Sequence, residues 1–226
     1  SKNKLKESAA GIFHGTHRYY AKYRPGIPGE VIDIIVKHFN IDPNDRILDI
    51  GCGTGQVALA MEGRCGEMVC LDPDPEMLKQ AKQATKDSKT RITWINHSAE
   101  NLGQLKEKLD TFKVATSSRA FHRMNQERVL KDLDELIEKD GGVAIFSDRV
   151  LWSGQEEWQQ AVKRIIQKYL GKEGDTGKEK IKKPEELWEN ILAHSVSSVF
   201  RFIKIHDVPI VRNWDVESII GYVLST

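Results

Sequence analysis

The sequence predicts an α/β protein built on a mostly parallel sheet with helices packed against its faces. Three observations carry that expectation. Short apolar runs of period near two alternate with longer stretches of period near 3.6, the pattern of parallel strands joined by crossover helices. The first strong strand runs straight into "GCGTG", with glycine at alternate positions. The second strand closes on an acidic residue, Asp72, about 20 residues further on, a spacing that belongs to nucleotide-binding βαβ units.

Taken in order, Val31, Ile34, Ile35 and Phe39 give an apolar face to a helix ahead of the sheet. Strands are expected over 46–50, 67–72, 92–96, 112–116 and 142–148. Met77, Leu78, Ala81 and Ala84 share a helix face after Pro75, which suits a first turn because its missing N–H would be unpaired there anyway. Val129, Leu130, Leu133, Leu136 and Ile137 form a second stripe, with "DGG" at 140–142 as the helix stop.

Beyond residue 148 the rhythm changes. Trp158, Ala161, Val162, Ile165, Ile166 and Tyr169 describe a long amphipathic helix, and 184–194 a shorter one with Leu187, Trp188, Ile191 and Leu192 inward. The charged, glycine-rich run at 171–183 between them predicts a solvated, mobile loop. Alternation over 198–211 predicts one more strand. Asp215 is then an N-cap for a last helix that turns Val216, Ile219, Ile220 and Val223 inward. The chain divides into an N-terminal lid segment and helix (1–40), a core (41–149), a helical insertion (150–195) and a C-terminal strand and helix (196–226).

Glycine costs conformational entropy and packs nothing, so Gly51, Gly53 and Gly55 mark a place where backbone bends sharply or a ligand comes close. A dinucleotide site would use G-x-G-x-x-G to seat a diphosphate at a helix N-terminus. Here the third glycine position holds Gln56, and Asp49 stands where a diphosphate would be repelled. A ligand carrying a positive amino group suits that acid better, and Asp72 can accept hydrogen bonds from ribose hydroxyls.

The stretch 46–102 resembles the class I S-adenosylmethionine-dependent methyltransferases, small-molecule members of the type 11 kind in particular. "ILDIGCGTGQ" is similar to their first motif, "LDPDPEML" to their second and "INHSAENL" to the loop after their third strand. "YYAKYRPGIP" and "SSRAFHRMNQERVLKDL" extend the likeness on either side. The resemblance implies a Rossmann-like, doubly wound, mostly parallel sheet with a helical insertion after the fifth strand, and against the family's usual closing hairpin a final strand is missing from the pattern. It implies S-adenosyl-L-methionine as cofactor and S-adenosyl-L-homocysteine as product. Gly51, Gly53 and Gly55 would pass beneath the methionine part, Asp49 would hold its amino group, and Tyr20 and Arg24 would reach its carboxylate. Asp72 would bind the ribose, Pro73 and Met77 would line the adenine pocket, Ser98 and Ala99 would meet the adenine edge, and Ser117 would lie beside the sulfonium. Residues 13–24 would form a lid.

Methyl transfer from a sulfonium asks mainly for alignment and exclusion of water, and proximity can supply about 7 to 11 kcal/mol. A base is needed when the acceptor is a hydroxyl, where it adds about 10²- to 10⁴-fold. His122, His17 and His14 are the candidates near the expected substrate mouth. With 34 basic and 33 acidic side chains there is no charge excess to attract nucleic acid or an anionic membrane. "TSSRAFHRM" also lacks the Asn/Asp-Pro-Pro-aromatic run of amino-methylating nucleic-acid enzymes. The expected acceptor is therefore a small molecule bound by O- or N-methylation chemistry. No apolar run approaches the roughly 20 residues that span a bilayer and no signal-peptide pattern opens the chain, so a cytoplasmic location is expected. Cys52, Cys65 and Cys70 lack zinc-site spacing and read as reduced, buried thiols, with no metal expected. Two alternatives stay open: a non-catalytic binder of the same cofactor acting through the insertion, and a nicotinamide-dependent dehydrogenase, which Gln56 disfavours.

Overall fold

The computed structural model describes residues 22–170 and 203–225. The expected loop at 171–183, the helix at 184–194, most of the lid segment and the side chains of His14, His17 and Tyr20 lie outside the described residues. The sheet has five parallel strands in the order β3-β2-β1-β4-β5. They are β1 (Arg46–Ile50), β2 (Glu67–Asp72), β3 (Arg91–Asn96), β4 (Phe112–Ser118) and β5 (Ile137–Phe146). Helix α1 (Gly29–Phe39) precedes β1, α2 (Gln56–Ala60) and α3 (Pro75–Ala84) follow β1 and β2, and α4 (Gln126–Asp134) leads into β5. Helices α5 (Glu157–Leu170) and α6 (Val216–Leu224) come after the sheet.

Burial on both faces explains the apolar runs of the central strands. One core holds Leu48, Ile50, Val69, Leu71 and Leu133 with the one side of the sheet. The other holds Ile47, Met68, Cys70 and Val114 against Ile32 and Ile35 of α1. Successive residues thus point to opposite, equally dry faces. Asp74, extended at φ −93°, caps α3 by accepting the N–H groups of Glu76 and Met77, with Pro75 inside the first turn.

The structure corrects the expected elements in several places. Helix α4 stops at Asp134, not at the glycines, because Leu133 accepts the Leu136 N–H and the Leu136 carbonyl accepts the N–H of Phe112, which draws Ile137 into β5. Gly141 lies inside a bulge of that strand, where a Cβ would stand 2.1 Å from the Lys113 carbonyl oxygen. It permits close approach of two backbones. Strand β5 ends at Phe146, leaving Asp148 on a loop.

The alternating run at 203–211 makes no ladder among the described residues, and Ile203, Ile205 and Val211 are exposed. Alternation specifies a strand only where an edge and an apolar surface receive it. Along α5, Trp158 and Ile165 are exposed instead of buried. The last helix keeps its expected cap, with Asp215 and Ser218 bonded reciprocally, but turns a different face inward. Val216 and Ile220 are exposed and Tyr222 is buried, because the Tyr222 ring gathers the edges of Trp152 and Trp214 and the Arg24 guanidinium at 4.4 Å.

Leu48 is fully buried at the sheet centre. Leu48→Ala should lower unfolding stability by about 2 to 5 kcal/mol in urea titration without changing the far-ultraviolet spectrum of the folded protein.

Candidate functional site

The glycine turn leaves β1 at its C-terminal end and enters α2, and all three of its glycines are left-handed: Gly51 at φ +67°, Gly53 at +52° and Gly55 at +79°. They differ in what their missing side chains leave room for. A Cβ on Gly51 would meet the Ala120 methyl at 2.5 Å, and one on Gly55 would meet Trp94 at 3.0 Å and Ala81 at 3.1 Å. A Cβ on Gly53 would meet nothing within 4 Å. Gly51 and Gly55 are therefore packing positions, while Gly53 keeps a space open beside the backbone.

That space is a small open cleft lined by Asp49, Gly51, Gly53, Thr54, Ser118 and Arg119, with Cys52, Gln56 and Val57 completing it. Asp49 forms its wall from β1. Its carboxyl is fully buried, and Oδ1 accepts a 2.8 Å hydrogen bond from the Thr116 hydroxyl on the neighbouring strand. Among the described residues Oδ2 has no partner, nor has the buried Thr54 hydroxyl. Burial pushes Asp49 up to about 7, the Thr116 bond opposes that, and the nearby Asp72 charge adds to it. An orphaned acid behind an open glycine turn fits a ligand with a cationic head and a body that lies on the backbone.

Asp72 closes β2 at the same end of the sheet. Its carboxylate accepts the Gly53 N–H at 2.8 Å and the Asp74 N–H at 2.9 Å, so it splints the turn. Burial raises its carboxyl, and those two bonds offset the rise only in part. Met77 is buried at the start of α3 and Pro73 is exposed beside it. Ser98, after β3, donates a short hydrogen bond to Glu100, and Ala99 is buried in the core.

Three expected positions, Ser117, Arg24 and His122, lie outside the cleft lining. The Ser117 hydroxyl is fully buried and donates to the Ile50 carbonyl at 3.0 Å, so Ser118 faces the cleft in its place. Strand alternation turns Ser117 inward. The Arg24 guanidinium lies on the Tyr222 ring and donates to the Ser225 hydroxyl at 2.9 Å, away from the cleft lining. His122 stands exposed on the short turn Phe121–Arg123, where its ring Nε2 takes a 3.3 Å contact from Arg123. Desolvation of the covered side of the ring and the Arg123 charge hold it below the usual histidine range.

Sequence reasoning did not find Thr116, Ser118 and Arg119, or the part played by Gln56. Arg119 is itself left-handed at φ +57°. It donates to Asp148 at 2.5 and 3.1 Å, to the Gln56 side-chain oxygen at 2.7 Å and to the Pro25 carbonyl at 2.9 Å. Gln56 in turn donates to the Arg24 carbonyl. The available signal was the polar run "TSSR" at the end of a strand otherwise read as core.

Residues 47–141 match the family model described as a methyltransferase domain. The chain is 28% identical over 130 residues to the probable S-adenosylmethionine-dependent methyltransferase CRG1 of Saccharomyces cerevisiae, covering 57% of this chain and 44% of that protein. It is 32% identical over 89 residues to a ubiquinone biosynthesis O-methyltransferase of Azorhizobium caulinodans, covering 36% of this chain and 35% of that protein. The chain thus spans less than half the length of these two relatives. In fold it is similar to a crystal structure from Methanococcus maripaludis assigned to the S-adenosyl-L-methionine-dependent methyltransferases, with TM-score 0.55 and 17% identity over 86% of this chain and 87% of the other.

Asp49 stays protonated in the folded protein while it ionises in the unfolded chain, from its ordinary value of 3.8 to about 7. It therefore removes stability as the pH rises through that window, on the order of 4 kcal/mol when complete. Asp49→Asn should flatten the fall in unfolding free energy between about pH 4 and pH 7, measured by urea titration against the parent protein. A second expectation separates the glycines. Gly53→Ala should cost about 1 to 2 kcal/mol for its left-handed backbone, and Gly55→Ala a further 1 to 3 kcal/mol because Trp94 and Ala81 must move.

Proposed function

We propose that this chain, which belongs by its domain at residues 47–141 to the class I S-adenosylmethionine-dependent methyltransferases, transfers the methyl group of that cofactor to a small-molecule acceptor at oxygen or nitrogen. The observation that carries the reading is the buried, half-satisfied Asp49 behind the open space at Gly53. When bound, S-adenosylmethionine supplies an electrophilic methyl on sulfur and leaves as S-adenosylhomocysteine.

The residues divide the work by position. Asp49 pairs with the amino group of the methionine part, and the Gly51 to Gly55 backbone lies beneath it. Asp72 receives the ribose hydroxyls through the lone pairs its backbone donors leave, with Pro73 and Met77 on one side of the adenine and Ser98 and Ala99 at its edge. Ser118, not Ser117, faces the reacting end. The acceptor approaches over the C-terminal ends of β4 and β5, and His122, which would have to give up its Arg123 contact and reach in from outside the cleft lining, is the described candidate to take the proton from a hydroxyl acceptor. Within the lid formed in residues 1–40, His14 and His17 remain candidate bases and Tyr20 a candidate for the cofactor's carboxylate, and residues 150–195 are the cap over the acceptor, with 41–149 and 196–226 as the core that carries both.

A small acceptor is supported by the balanced charge of the chain and by the quinone-pathway O-methyltransferase among its relatives. No helix of the described residues is long and apolar enough to cross a membrane.

Calorimetry tests the reading. S-adenosylhomocysteine should bind at micromolar concentration and NAD should not, and Asp72→Ala should weaken the former by about 1.5 to 3 kcal/mol. Gly53→Ala should remain folded yet lose at least tenfold in affinity. Ionising Asp49 against the ligand's ammonium should release a proton, so affinity rises from pH 6 to pH 8 and the binding heat depends on the buffer. NAD binding tighter than S-adenosylhomocysteine would overturn the assignment. Binding without methyl transfer to any small acceptor, with transfer to RNA instead, would move the acceptor to nucleic acid.

A further inference from the structure

A second, shallow and open cleft adjoins the first across Ser118 and Arg119, which line both. Its walls are apolar, from Ile27 and Val31 near α1, Phe146 at the end of β5 and Ile210 on the segment before α6. Its floor is a charged cluster. Asp148 accepts from Arg119 and, at 2.5 Å, from Nη1 of Arg212. Burial pushes the Asp148 carboxyl up, but the two arginines outweigh that and hold it below the usual carboxylate range. Two guanidinium groups thus face one carboxylate, leaving one positive charge over.

The two arginines are not equivalent. Arg119 is committed on several sides to Asp148, Gln56 and Pro25, and it forms the fixed partition between the clefts. Arg212 sits at the edge of the cluster, and its Nη2 is buried with no hydrogen-bond partner among the described residues. A buried donor left unpaired on a residue that lines a cleft is costly, and a guanidinium finds its best partner in a planar carboxylate. The excess charge and the orphaned donor have the same address.

We propose that the second cleft is the acceptor subsite and that it takes a small carboxylate with an apolar body, whose carboxylate is held by Arg212 while the body lies on Ile27, Val31, Phe146 and Ile210. The proposal rests on the methyl-transfer reading. It makes Arg212 a specificity-determining residue that anchors the acceptor, and Arg119 a positioning residue that sets the distance between acceptor and donor.

The test uses the full chain saturated with S-adenosylhomocysteine, with benzoate, cinnamate and octanoate as probes beside their amides and phenyl phosphate. Binding is read by calorimetry and by methyl resonances of Val31 and Ile210. At least one carboxylate should bind tenfold or more tightly than its amide and should shift those methyls. Arg212→Met should erase that difference while leaving the S-adenosylhomocysteine affinity within twofold, and Arg212→Lys should restore part of it. Circular dichroism confirms that both variants fold, and the lysine variant keeps the comparison meaningful if the methionine one does not. Equal binding of acids and amides, tighter binding of phenyl phosphate, no binding by any probe, or full retention in Arg212→Met would each overturn the carboxylate subsite. Failure of S-adenosylhomocysteine itself to bind is a different result, and it would remove the methyl-transfer reading and this subsite together.

Discussion

A fully buried carboxyl group with one hydrogen bond among the described residues stands near the end of the central strand, and the cleft is organised around it. Asp49 can be there only because β1 is flanked on both sides, by β2 and by β4, so that Thr116 arrives opposite it in register. The same flanking removes solvent and leaves Oδ2 without a partner. Folding therefore accepts a local cost, and a cationic ligand is the group that would relieve it. The glycine turn has to follow immediately, since any chain with side chains at Gly51 and Gly55 would collide with Ala120, Trp94 and Ala81 before it could pass over the acid.

Much of this was legible in the sequence because it depends on local chemistry. Strands at 46–50 and 67–72, the glycine turn, the Asp74 and Asp215 helix starts and the acid ending β2 all follow from short-range rules of periodicity, backbone conformation and capping. What sequence could not supply were facts settled by a distant partner. Ile137 reads as the last residue of a helical stripe until the Phe112 N–H takes the carbonyl before it. Residues 203–211 alternate like a strand, yet no strand among the described residues pairs with them. Ser117 and Ser118 are indistinguishable in sequence, and only the pleat decides which one meets the cleft.

Arginine placement shows the same division. Arg24, expected near the ligand, instead stacks on Tyr222, while Arg119, which no short motif singled out, joins β4 to α2, to Pro25 and to the loop after β5. These contacts bring together residues far apart in the chain, so their energy accrues only when the whole sheet has formed. Gln56 gains its meaning here too. It departs from a dinucleotide motif because its amide is occupied on both sides, accepting from Arg119 and donating to the Arg24 carbonyl.

The three cysteines carry a consequence of their own. Cys52, Cys65 and Cys70 are all buried and free. Burial pushes the Cys52 thiol well up and that of Cys65 up to about 12, which leaves almost no thiolate to react while the protein stays folded. Cys52 and Cys70 lie in the turn after β1 and in the strand beside it, so any opening of the central sheet uncovers them. Alkylation of the native protein is thereby slaved to opening of the sheet, and the chain carries a chemical stopwatch for its own core, readable with a thiol reagent and no added label.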